Sequence, residues 1–281
     1  MKYLRIINTD PSDGYSNMAL DEAILLNYLD TKIPVLRFYN WKPSFISIGY
    51  FQNPDVVIKA EQCSLEKINF TRRITGGGAI LHDKELTYSI VCSDEDLNLP
   101  VSVKESYRKL CSFIIDTYKN FGLDAKFACQ ENVNNKKISG IPTAFCFAGI
   151  EHYDILVNGK KLGGNAQRRK KNIIFQHGSI PLEIDFWKIK NIFYDIPHDL
   201  EKTTTSLKGL LADDISFEKL RTLLILYFQK NFQIETRNDI ISEKENKIKE
   251  RLLLEKYKTE KWNSLSKKNI AVYQYAESHS G

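Results

Sequence analysis

A chain of 281 residues that is 42% hydrophobic, 27% charged and 11% aromatic has the composition of a folded globular protein, which excludes a disordered or fibrous chain. The net charge of +5 suits an acidic protein partner as well as nucleic acid, so charge alone selects neither. No run reaches the ~18 apolar residues of a membrane span, and MKYLRIINTDPSDG has neither the apolar stretch nor the cleavage site of a secretory leader, so a cytoplasmic protein without a membrane partner is expected.

Taken in chain order, NMALDEAILLNYL places Met18, Ala19, Ala23, Leu25, Leu26 and Tyr28 at helical spacing, with Ser16 or Asn17 as its cap. PVLRFYNW and SFISIGYFQ read as two strands joined by a tight turn at Lys42-Pro43, and KINFTRRIT is a further β-rich run that leads into glycines. KELTYSIVC alternates as a strand does. VKESYRKLCSFIIDTYKNF repeats Tyr107, Leu110, Cys111, Ile114 and Tyr118 at helical spacing and closes at Gly122. HYDILVNGKKLGG predicts a hairpin turning at Asn158-Gly159, with NIIFQHGSIPLEI as its sheet neighbour. From Ser216 onward FEKLRTLLILYFQKNF and SEKENKIKERLLLEKYKTEKWN read as helices. No repeat and no linker divides the chain. One α+β domain over residues 1–233 is expected, followed by a helical C-terminal extension over 234–281.

Two segments could carry chemistry. In RRITGGGAILHD (residues 72–83) three consecutive glycines let the backbone approach a ligand closely, and Arg72 or Arg73 can supply a charged fork. A carbonyl, a phosphate or a pantetheine arm would fit such a loop; a plain turn between strands would also produce it. The spacing is neither that of a Walker A loop nor that of a dinucleotide fold. His82 beside Asp83 has the pattern of an oriented base, or of a structural histidine.

The second segment is CFAGIEHYDILVNGKKLGGNAQ, residues 146–167. The five cysteines (Cys63, Cys92, Cys111, Cys129 and Cys146) are odd in number without a CxxC pair, so free thiols are expected rather than a disulfide framework or zinc site. Cys92 and Cys111 fall on core faces, whereas Cys146 lies in a loop of small residues ahead of a strand. The hairpin returns Lys161 fifteen residues later. An ammonium beside a thiol favours the thiolate, so the pair could exchange a thioester and pass the acyl group to an amine. A solvated hairpin lysine is the alternative.

Together NMALDEAIL, RFYNWKPSFISIGYFQ, RRITGGGAILHDKELTYSIV, GKKLGGNAQRRKKNIIFQHGSI and LLLEKYKTEKWN resemble, in order, the lipoate and biotin attachment superfamily. Within it they are most similar to the octanoyltransferase branch of Gram-positive type. The resemblance implies the α+β cofactor-transferase fold, with mixed sheets flanked by helices around an acyl tunnel. It implies transfer of octanoyl from octanoyl-acyl-carrier protein to a lysine of a lipoyl-carrier protein, such as the glycine cleavage H protein or a 2-oxoacid dehydrogenase E2 domain. The enzyme would act as a monomer, without a cofactor, metal or nucleic acid.

Residue by residue, the resemblance makes Cys146 the nucleophile, seven residues before Tyr153 and fifteen before Lys161 of the KxxGxAQ block. Lys161 would lower its pKa and orient the acyl carbonyl. Arg73, Gly76, Gly77, Gly78 and His82 would line the acyl and carbonyl site, and Asn165, Gln167 and His177 would complete its wall. Two positions depart from the branch: Ala148-Gly149-Ile150-Glu151 stands where a Pro-Ser pair is usual, and Gly78 is more typical of lipoate ligases. An ATP-dependent lipoate-protein ligase, which would not need Cys146, and an amidotransferase between carrier proteins are the alternatives.

Overall fold

The computed structural model describes residues 3–130, 145–146 and 149–265; Ala148 and the expected extension beyond Leu265 lie outside the described residues. In chain order the elements are β1 (Tyr3–Asn8), α1 (Gly14–Thr31), β2 (Val35–Tyr39), β3 (Phe45–Ile48), α2 (Ala60–Leu65), β4 (Asn69–Arg72), β5 (Ile80–His82), β6 (Glu85–Ser93), α3 (Val103–Asn120) and β7 (Ala125–Phe127). There follow β8 (Ile155–Val157), β9 (Lys160–Lys161), β10 (Gly164–Lys170), β11 (Ile173–Pro181), α4 (Phe186–Ile192), α5 (Leu200–Thr203), α6 (Phe217–Phe232), β12 (Glu235–Asp239), α7 (Glu243–Leu252) and α8 (Glu260–Asn263).

The strands form three sheets: a six-stranded mixed sheet in the order β10-β11-β6-β2-β1-β12, and two three-stranded sheets, β4-β3-β5 and β7-β8-β9. This is the expected α+β architecture. Beside the large sheet, α3 and α6 bury Leu110, Cys111, Phe113, Leu224 and Phe228 with Leu86, Tyr88, Ile90 and Cys92 of β6. On its opposite face α1 packs Met18, Leu20 and Ile24 in a cluster with Val91 and Phe175. The polar residues of the alternating β6 therefore do not face water: Glu85, Thr87 and Ser89 are all buried. Among the described residues no helix is long and apolar enough to cross a membrane.

Local sequence explains most boundaries. The α1 helix starts at Gly14, earlier than expected, because Asp13 accepts from the Ser16 amide and acts as the cap in place of Ser16 or Asn17. Ser102 caps α3, and Gly122, at φ 76°, follows its end. The Asn158-Gly159 turn has φ 51° and 72°, as a two-residue hairpin turn requires, and it joins β8 to β9.

Three expectations are corrected. β2 and β3 do not pair across Lys42-Pro43; the chain crosses there from the large sheet to the small one, and Phe45–Ile48 pairs with β4 and β5. The segment NIIFQHGSIP is β11 and pairs with β10 and β6, not with the β8–β9 hairpin, which lies in another sheet. The residues after Gln233 are not helical throughout, because Glu235–Asp239 forms β12, parallel to β1. ETRND carries no apolar alternation, so no burial pattern announces the strand; its ladder to β1 is joined by polar side-chain contacts, among them Arg237 over the Tyr3 ring. Arg5 of β1 fastens this stretch through Asp239 and Glu245, both at 2.6 Å.

Candidate active site

The glycine loop follows β4 and is held from within by Arg73. Its guanidinium donates to the carbonyls of Gly76 (2.7 Å) and Gly78 (2.8 Å), to Thr75 Oγ1 (3.1 Å) and to the carbonyl and hydroxyl of Ser47 (3.1 and 3.2 Å). Burial pulls the pKa of Arg73 down to about 10, partly offset by nearby Cys146, so it remains a cation at neutral pH. Gly77, at φ 92°, is exposed at the crest of the loop. Its carbonyl oxygen lies 1.9 Å from where a Cβ on Gly49 would stand, so this close approach requires glycine at position 49, while the positive φ favours it at 77.

Cys146 meets the large sheet at β10. Its amide donates to the carbonyl of Ala79, just after the glycine loop, and Phe145 bridges to Ala79. Its Sγ lies 2.9 Å from the Cβ position of Gly164, so the bare backbone there gives the sulfur its place. Lys161 reaches the same loop from β9: Nζ donates to the carbonyls of Cys146 (2.8 Å) and Gly149 (3.0 Å) and pairs with Asp154 Oδ2 at 2.7 Å. Burial would depress the Lys161 pKa, but Asp154 and the other negative groups nearby raise it. At Cys146 burial pushes the thiol up; Lys161 and Arg73 pull it down, Asp154 and Glu151 oppose them, and the net direction is upward.

A second set of the expected residues forms a polar chain beneath the loop. Glu85 accepts from His82 Nδ1 (2.7 Å), Thr87 (2.5 Å) and Ser179 (2.5 Å), while His82 Nε2 lies 2.8 Å from Ser47 Oγ, the hydroxyl that Arg73 also reaches. The orienting carboxylate of His82 is therefore Glu85, and Asp83 instead pairs with Lys188. Burial would lift the Glu85 carboxyl, yet His82 and the donated hydrogen bonds hold it below its ordinary range. His177 Nε2 bonds Thr75 Oγ1 at 2.7 Å; burial, with Arg73 and His82 nearby, holds the ring well below its ordinary pKa and hence neutral.

Asn165 and Gln167 are placed differently. Along β10 they alternate with Gly164 and Ala166, and Asn165 pairs with Gly178, which pairs with Tyr88. Asn165 Oδ1 accepts from Tyr88 Oη (2.7 Å), and Gln167 donates to Gln176 (2.9 Å), which in turn donates to Tyr88 Oη (3.0 Å). They form a network on the α3 side of the sheet, whereas Gly164 turns toward Cys146. Thus Cys146, Lys161, Arg73 and the glycines come together directly, His82 and His177 stand behind Arg73, and the side chains of Asn165 and Gln167 support the sheet from its other face. Sequence reasoning missed Ser47, Thr75, Glu85, Asp154 and Gly164. The signal for Glu85 lay in the polar positions of ELTYS, and that for Gly164 in the glycine pair of KLGGNAQ.

The family model of the lipoyl protein ligase A/B catalytic domain matches residues 13–229. Octanoyltransferase LipM of Halalkalibacterium halodurans is 35% identical over 94% of this chain and 99% of its own length. Octanoyltransferase LipM of Bacillus subtilis is 34% identical over 92% of this chain and 97% of its own. Among solved structures, a lipoate-protein ligase A bound with ATP superposes with a TM-score of 0.78 at 27% identity, covering 94% of this chain and 99% of that one.

Proposed function

The chain belongs to the lipoyl protein ligase A/B catalytic domain family, and from that membership we propose that it is an octanoyltransferase, moving octanoyl from an acyl-carrier-protein thioester to a lysine of a lipoyl-carrier domain through Cys146. The observation that carries this reading is the placement of the Cys146 sulfur against the bare backbone of Gly164, with Lys161 and Arg73 bracketing its loop. A ligase that activates free acid with ATP has no use for a thiol in that position. The relatives named octanoyltransferase support the acyl group, and the family supports a lipoyl-carrier acceptor.

The chemistry follows from the groups present. Cys146 attacks the donor thioester carbonyl; a new C–S bond forms, the old C–S bond breaks, and the leaving carrier thiol takes the proton that Cys146 gave up. Because one thiol replaces another, no net proton is released; the attacking species is the thiolate, whose share at neutral pH the raised Cys146 pKa limits. In the second step the acceptor amine attacks the thioester, an amide N–C bond forms, and a proton from nitrogen returns to sulfur. The C–S bond breaks as that proton is taken up, so the sulfur departs as a thiol.

Charge on the tetrahedral oxygen has a place to go. Arg73 turns the carbonyls of Gly76 and Gly78 inward. Across the trans Gly76–Gly77 peptide the Gly77 N–H points the opposite way, away from the guanidinium, where an oxyanion can accept from it.

The deciding experiment incubates the wild type and Cys146→Ser with octanoyl-acyl-carrier protein and an apo lipoyl domain, with and without ATP, and reads intact mass. A hydroxylamine-labile octanoyl adduct on the wild type and ATP-independent acceptor modification are expected. The serine variant should lose transfer on the order of 10³-fold or more, as nucleophile removal does elsewhere. Full activity of Cys146→Ser, or strict dependence on ATP and free acid, would overturn the reading in favour of a ligase.

A further inference from the structure

The edge of the small sheet that carries the glycine loop is closed by residues almost two hundred positions away. β4 is the outer strand of β4-β3-β5. Along it, the Arg72 amide donates to Asn263 Oδ1 (2.9 Å), Trp262 Nε1 donates to the Arg72 carbonyl (2.8 Å), and Thr71 Oγ1 donates to Asn263 Oδ1 (2.9 Å) and the Tyr257 carbonyl (3.1 Å). The side chains of α8 thus satisfy backbone groups that a neighbouring strand would otherwise take.

The Arg72 side chain continues the connection. It donates to the carbonyls of Trp262 (3.0 Å), Asn263 (3.1 Å) and Leu265 (2.8 Å) on one side, and of Gly49 (3.2 Å), Tyr50 (2.8 Å) and Gln52 (2.7 Å) on the other. Gly49 is the residue on which the Gly77 carbonyl rests, and Tyr50 donates its amide to Thr75 at 2.9 Å. The Trp262 ring packs edge-on against Tyr50, with centroids 5.7 Å apart. The next residue after Arg72 is Arg73, which grips the loop from within.

We infer that Trp262 and Asn263 are positioning residues for acyl transfer: the C-terminal segment sets the Gly76–Gly78 loop through Arg72 and the Gly49–Gln52 turn, and is an integral part of the acyl site. The inference rests on the octanoyl-transfer reading. Asn263→Ala removes the acceptor for the Arg72 amide, leaving the ammonium of Lys161, the thiol and Arg73 untouched. Trp262→Phe keeps an aromatic ring against Tyr50, deletes the donor to the Arg72 carbonyl and vacates part of the buried indole's volume beside Tyr257 and Lys256.

Single-turnover acylation of Cys146 by an octanoyl thioester, read by intact mass, is compared with alkylation of the same thiol by iodoacetamide. Both are measured well below each variant's melting temperature. Acylation should fall by about tenfold to a hundredfold, the scale on which a misplacement of about 1 Å costs rate. Alkylation should stay at the wild-type rate, because the thiol's surroundings are unchanged. A lowered melting temperature with wild-type acylation in the folded fraction would show a purely structural role and overturn the inference, as would equal loss of acylation and alkylation. If Asn263→Ala does not fold, Trp262→Phe decides alone by the same comparison. A wild type that takes no octanoyl group would instead remove the octanoyl-transfer reading itself.

Discussion

Gly164→Ala asks whether the sulfur of Cys146 must lie where the structure places it. The new methyl would stand 2.9 Å from Sγ, against a normal non-bonded contact of roughly 3.5–4.0 Å, so one of the two must move by about 0.6–1.1 Å. The strand is held to β11 by its ladder, whereas the sulfur can rotate about one bond, so the sulfur yields. A displacement of about 1 Å at a reacting atom costs on the order of 10²-fold in rate. Stability should change little: alanine reduces the freedom of the unfolded chain by ~0.4–1 kcal/mol, and slight overpacking offsets this by a similar amount. The melting temperature should therefore move by less than about 4 °C. Stopped single-turnover acylation by octanoyl-acyl-carrier protein, read by intact mass beside a thermal melt, measures both. A variant that melts like the wild type and acylates at the wild-type rate would refute the placement of the sulfur.

Two further outcomes follow from the same geometry. Burial sets the Cys146 thiol above its ordinary pKa, so wild-type acylation should rise with pH through the neutral range; removal of the Lys161 cation in Lys161→Ala should move that rise to higher pH still. Below both pKa values the two lines run parallel, so the deficit should be constant while both thiols stay largely protonated and narrow only where the wild type approaches full ionisation; a deficit absent throughout would remove Lys161 from the mechanism. The basic residues Lys160, Arg168, Lys170 and Lys171 lie on and beside the β9 and β10 strands that hold the site, so the acceptor Michaelis constant for an acidic lipoyl domain should rise as salt passes ~0.1 M. An unchanged constant would leave these charges as ordinary solvated groups.

The parts of this protein legible in the sequence are those fixed by local rules. Helical spacing in VKESYRKLCSFIIDTYKNF, the Asn158-Gly159 turn and the alternation in KELTYSIVC each depend on neighbours in the chain, and α3, the β8–β9 hairpin and β6 appear where expected. What sheet a strand joins depends on distant partners, and there the reading was blind: β3 leaves β2 for β4 and β5, and ETRND becomes an edge of the large sheet without an apolar residue to announce it. The site divides in the same way. Cys146, Lys161 and the glycine loop stand out by residue type and spacing. Asp154, which pairs with Lys161, and Glu85, which orients His82, are acidic residues among 35, and only the fold distinguishes them.

The arrangement of charge explains why two cations serve one thiol. The charge of Lys161 is matched by Asp154 at 2.7 Å, so the pair shapes the loop through the carbonyls of Cys146 and Gly149 while contributing little net field at a distance. Arg73 is different: among the described residues its hydrogen bonds run to three carbonyls and two hydroxyls, without a carboxylate. Holding an unmatched guanidinium in the interior is costly, and these neutral acceptors offset that cost only in part. Burial first, and Arg73 after it, depress the pKa of His177, so the ring adds no charge beside the guanidinium. The unmatched charge of Arg73 is complemented when negative charge develops on the tetrahedral oxygen. Such a charge favours the transition state more than the resting thiol, which is how fixed charge accelerates a reaction rather than merely binding its substrate.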